Sequence, residues 1–125
     1  MYAALTTLRD ALGALPWVAS CKIGLEANMT PADYPMVRIV PSTARYGGLI
    51  HSRQCEVLIY FGHDAHEFDA GLEALHERLF EDEAQIIDAA LALDGLRFTY
   101  AETIFDEDRV DAYKLLAIRA SVEAV

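Results

Sequence analysis

The stretch that most limits what this chain can become is residues 55–93, where a strand pattern feeds straight into a helix pattern. Residues 55–61 read CEVLIYF, and Val57, Leu58, Ile59, Tyr60 and Phe61 form an unbroken apolar run. β-Branched and aromatic side chains suit a pleated surface, and a run apolar on both sides suits a central strand. Gly62 ends it. Asp64 then stands three residues before Glu67, the spacing of a capping box, so the sequence predicts a helix from residue 64 onward. Phe68, Leu72, Leu75 and Leu79 fall at i, i+4, i+7 and i+11 on one helical face, and Ile86, Ala90 and Leu93 prolong the stripe. Between them stand Glu81, Asp82 and Glu83, expected as a solvated break that divides the helix into residues 64–80 and 82–93. A helix with one apolar face needs a sheet to cover.

The rest of the chain supplies that sheet. Leu5, Leu8, Leu12 and Leu15 recur at helical spacing over residues 2–15, and Pro16 stops the helix. Residues 17–26 alternate, with Trp17, Ala19, Cys21, Ile23 and Leu25 on one face of a half-buried strand. Asn28, Pro31 and Asp33 mark a connection. Residues 36–40 read as a short strand between Pro35 and Pro41, because proline cannot donate to a ladder. After the helix, Asp94-Gly95 makes a turn. Residues 96–105 and 112–125 alternate as two strands of a hairpin closed by the charged turn Asp106-Glu107-Asp108. The expected order is α-β-β-β-α-β-β in one α+β domain over residues 1–125, an antiparallel or mixed sheet with helices on one face.

Residues 42–53 flank Gly47-Gly48, which permits backbone angles closed to other residues. Arg45, Tyr46, Leu49, Ile50, His51 and Arg53 surround the glycines, and no acidic residue occurs from Tyr34 to Cys55. The segment reads either as a locally cationic, apolar arm or as an ordinary hairpin loop.

The chain carries 20 acidic and 10 basic residues, a net charge of −10. Such a surface repels phosphate at long range, which argues against sequence-specific nucleic-acid binding. No apolar stretch reaches the ~18 residues a bilayer span needs, so no membrane contact is expected. Cys21 and Cys55 lie 34 residues apart with no C-x-x-C between them. Met1-Tyr2 leads straight into an amphipathic pattern, so no secretory leader is expected and the cysteines read as free thiols.

Chemistry is hard to find. His63 and His66 sit among Asp64, Glu67 and Asp69, but a zinc site needs three or four converging ligands and His76 lies ten residues beyond His66. A polar helix N-terminus accounts better for this cluster. Cys55 begins a core strand and Cys21 lies on the apolar face of another, so neither reads as an activated thiol, and no G-x-S-x-G, P-loop or G-x-G-x-x-G occurs. No catalytic, metal-ligating or cofactor-binding residue is assigned, and no cofactor is expected.

In its order of elements the chain resembles the tail-terminator, or tail-completion, proteins of long-tailed bacteriophages. The likeness rests on the short helix ending at Leu15-Pro16, the early strand, the segment YPMVRIVP at residues 34–41, the VLIYF strand with its following helix, and a closing hairpin that ends in residues 116–122. It covers nearly the whole chain as a pattern of lengths and hydrophobicity. The resemblance implies a non-enzymatic structural protein of the virion tail and neck, assembled in the host cytoplasm. Its subunits would form a ring, usually a hexamer, that caps the tail tube, ends tube polymerisation and joins the head connector. Partners would be other copies of itself, the tail-tube protein and the connector or stopper protein, with DNA passing an acidic lumen without capture. Arg45, Tyr46, Leu49, Ile50 and Arg53 would contact a neighbour, and Asp106, Glu107 and Asp108 would face the lumen or that contact. The alternatives are another neck protein, such as a head-to-tail stopper or tube-like subunit, or a small stand-alone ligand-binding or enzymatic α+β domain.

Overall fold

The apolar run at residues 57–61 becomes the middle strand of a five-stranded mixed sheet. The computed structural model describes residues 1–46, 52–64, 71–105 and 113–124. Among these the elements are α1 (Tyr2–Gly13), β1 (Ser20–Ile23), a 3-10 turn (Pro31–Asp33), β2 (Met36–Tyr46), β3 (Arg53–Asp64), α2 (Leu72–Leu91), β4 (Leu96–Phe105) and β5 (Tyr113–Ala124). Strand order across the sheet is β1-β2-β3-β5-β4. β1 runs parallel to β2, and every other pairing is antiparallel. The protein is an α+β fold in the expected element order.

Both helices cover one face. Alternation on the strands sends Val37 and Ile39, Val57, Ile59 and Phe61, and Leu116, Ile118, Ala120 and Val122 to that side. Leu5, Leu8 and Leu12 of α1 and Leu75, Leu79, Ile86 and Ala90 of α2 close over them. Each fully buried leucine or isoleucine contributes about 1.5–3 kcal/mol. Gly13 lets α1 end tight against β1, since a Cβ there would stand 3.3 Å from Cys21 Cβ. Tyr34, Met36 and Leu115 form a second small core on the opposite face, with Met29 and Tyr60 packed against it.

Four expectations need correction. The first strand covers only residues 20–23, and Leu25 is 41% exposed rather than inward. β2 does not stop at Pro41 but continues to Tyr46, with a register shift between Pro41 and Thr43. The physical reason is the shortness of β1: it pairs β2 no further than Ile39, so Pro41 lies on an outer edge where its missing N–H leaves no ladder bond unmade. Asp64 is the last residue of β3, so the strand runs two residues past Gly62, and the expected helix start at residues 65–70 lies outside the described residues. The helix begins at Leu72, which is 62% exposed in its first turn rather than part of the buried stripe. Glu67 and Phe68 lie outside the described residues. Finally, the helix does not break at Glu81-Asp82-Glu83; it is continuous, because Asp82 finds a buried partner and needs no solvated bend. Gly95, at φ +82°, makes the turn into β4 in the left-handed region that glycine favours.

Candidate functional site

Three groups of polar and exposed side chains stand out, and the first was missed by sequence reasoning. His63 lies two residues beyond Phe61 on β3, so it points toward the helices. Asp82 lies three residues after Leu79 and four before Ile86, on the buried stripe of α2, and that spacing was the available signal. The two meet: His63 Nε2 hydrogen-bonds Asp82 Oδ2. Arg78, one turn earlier, donates through Nε to Asp82 Oδ1 at 3.1 Å. Trp17 stacks on the imidazole with ring centroids 5.8 Å apart and planes 27° apart, and its indole N–H donates to Gln85 Oε1 at 2.9 Å. His63 is 2% exposed and Asp82 0%. His63 and Asp64 are therefore strand residues, and His66, Glu67 and Asp69 lie outside the described residues. Burying a carboxylate is costly unless it is paired and hydrogen-bonded, and Asp82 has two partners. The cluster ties β3, α2 and the segment after α1 together. His63 and Asp82 are shut away from solvent while the Arg78 side chain is 41% exposed, and the cluster orients the elements it joins.

The second group lies on the other face of the sheet. Arg38 on β2 is wholly buried. Glu26 accepts from its Nε at 2.7 Å and from its Nη2 at 3.0 Å, while Nη1 donates to the backbone carbonyls of Ser20 at 3.0 Å and Val37 at 2.9 Å. Such a two-pronged guanidinium–carboxylate pair is the strong form of a charged hydrogen bond. The hydrogen bond from Arg38 holds the Glu26 carboxyl down to about 2. The clasp pins the connection after β1 over the second core.

The third group is the anticipated contact arm. Arg45, Tyr46 and Arg53 are ladder residues, with Arg45 opposite Gln54 and Tyr46 opposite Arg53. The arm is thus an extension of the β2–β3 ladder up to Tyr46, not a loop from residue 42. Arg45 Nη2 donates to Glu56 Oε1 at 3.3 Å within the same hairpin. Tyr46 is 75% exposed. Leu49, Ile50, Asp106, Glu107 and Asp108 lie outside the described residues.

Among the described residues no group of three His, Cys, Asp or Glu side chains could hold a metal ion. Cys21 and Cys55 are free thiols. Burial pushes Cys21 up to about 11 and raises Cys55 as well, so neither is an activated nucleophile at neutral pH. A shallow cleft of about 230 Å³ between the start of α1 and the turn into β4 is lined by small side chains such as Ala3, Ala4 and Thr7, with Asp94 at its rim. One carboxylate in an open cleft makes no acid–base pair. No described helix is long and apolar enough to cross a membrane. No family model matches the sequence, and no curated protein matches it.

Proposed function

We propose that this chain is a structural subunit of the neck of a long-tailed bacteriophage, a tail-terminator-like protein that assembles as a ring on the end of the tail tube and joins it to the head connector. The observation that carries this reading is the division of the molecule's chemistry. Its described acid–base pair, His63 and Asp82, is sealed in the core. Its surface instead presents large apolar side chains, among them Tyr46 and Phe105 on a small open sheet and Phe80 and Leu91 on the helix α2 beside it. Such a distribution suits work done by shape, strand edges and surface charge. The acidic balance supports a lumen past which DNA moves without capture.

The test is sedimentation velocity with negative-stain microscopy of the purified protein at micromolar concentration. The expected result is a closed ring with a central opening. A monomer both alone and within assembled particles overturns the reading.

A further inference from the structure

Charge is distributed very unevenly along this chain. Residues 1–55 hold five basic and three acidic side chains, whereas residues 56–125 hold five basic and seventeen acidic. Among the described residues the sheet carries part of this sequence asymmetry into space. α1, β1 and β2 come from the first block and make one flank, while β5, β4 and α2 come from the second and make the other.

The acidic flank is also apolar. α2 has a second stripe besides its buried one: Phe80, Ala84, Ile87 and Leu91 recur at i, i+4, i+7 and i+11. Phe80 is 51% exposed and Leu91 59%. Phe80 packs on Phe105 of β4 with ring centroids 5.5 Å apart, which places the stripe along the outer side of the sheet. Tyr100 shares the helix-side face of β4 with Phe98 and is exposed. Glu73 and Glu77 stand seven and three residues before Phe80, on the same helix surface. Within the described residues nothing covers this surface. On the opposite flank the exposed groups include Lys22 and Arg45, together with Tyr2 and Tyr46.

We infer that the α2–β4 flank of one copy receives the α1–β1–β2 flank of a second copy, an unlike, head-to-tail contact. Charge complementarity selects the occupant, since the first block is the cationic part of the chain and the second is heavily anionic. Two unlike flanks on one molecule generate a ring if the rotation closes and a filament if it does not. The contact runs through side chains rather than through a continued backbone ladder. The part of β2 that β1 leaves uncovered and the outer strand β4 both carry irregularities, at Pro41/Thr43 and Tyr100/Glu102, and bulged edges resist strand addition. This inference rests on the ring-forming reading above and names the surface that reading needs.

The experiment compares sedimentation of the wild type with three variants: Phe80→Asp/Leu91→Asp, Glu73→Lys/Glu77→Lys and Lys22→Glu/Arg45→Glu. All six positions are solvent-facing, and unchanged circular dichroism checks that each variant folds. Each variant alone is expected as a monomer under conditions where the wild type assembles. An equal mixture of the two charge-reversed variants is expected to assemble again, because each reversed flank then meets its opposite. Assembly of Phe80→Asp/Leu91→Asp at wild-type concentration overturns the inference and leaves the ring reading standing. Open filaments that the same variant abolishes uphold the contact and remove the ring. A wild type that is monomeric at all concentrations, both alone and within assembled particles, overturns the inference together with the ring reading.

Discussion

Asp82 lies in the middle of an acidic helix, yet its carboxylate turns inward onto the imidazole of His63. With Arg78 as its second partner, it is a buried charge whose cost is offset only while both contacts stand. Removing one partner strands the other. Asp82→Ala is expected to cost about 3–5 kcal/mol, the usual cost of breaking a buried pair. Replacing both at once, as His63→Phe/Asp82→Leu, is expected to cost less than the sum of the two single changes, since neither polar group is then orphaned. Urea denaturation of Asp82→Ala, His63→Phe, Asp82→Leu and the double variant measures this, and strict additivity would contradict the coupling.

The clasp between Glu26 and Arg38 makes a pH prediction. The Glu26 carboxyl is lowered from an ordinary 4.5 to about 2, first by the hydrogen bond from Arg38. A carboxyl with a depressed folded value contributes stability that is complete above its unfolded value and lost as pH falls. Thermal stability is therefore expected to drop between about pH 4.5 and pH 2 as the clasp protonates. In Glu26→Gln that part of the acid-side loss should be missing, while stability at pH 7 is lower than in the wild type. Melting curves at a series of pH values read both effects.

Leu72 and Leu75 share the first turn of α2 but not its environment. Leu75 is buried against the sheet and Leu72 is exposed. Leu75→Ala is expected to cost roughly 2–5 kcal/mol, through lost burial and the cavity left behind. Leu72→Ala should stay within about 0.5 kcal/mol of the wild type. Chemical denaturation midpoints compare them directly, and similar losses would place Leu72 in the core.

The thiols give an independent check on packing. Burial raises both, Cys21 to about 11, so at pH 7.5 each is a neutral thiol. Reaction with a disulfide reagent is expected to be slow in the folded protein and to release two equivalents promptly once it is unfolded. Fewer than two equivalents on unfolding without reductant would mean that a bridge had formed.

Much of the fold follows from periodicity. The run at residues 57–61 reads as a central strand and is the middle of the sheet, Leu116, Ile118, Ala120 and Val122 share the inward face their alternation predicts, and the leucine spacings of α1 and of α2 from Leu75 onward mark buried stripes correctly. The misses share a cause. Pro41 was read by its local effect, a lost donor, but the extent of β1 decides whether that donor has anywhere to go. Asp82 was read as one of three acids in a row, although its place in the stripe already aimed it inward. Arg45, Tyr46 and Arg53 flank Gly47-Gly48 and read as an arm or a hairpin loop, whereas the ladder continues through them.

The sequence by itself determined which side chains had to leave water, and therefore the element order and the face each element buries, because hydrophobic period is a local property of the chain. Only the tertiary structure decided which polar groups could leave water with them. His63 with Asp82, and Arg38 with Glu26, are pairs separated by long or irregular stretches of chain, and a buried charge is tolerable only where folding delivers its partner.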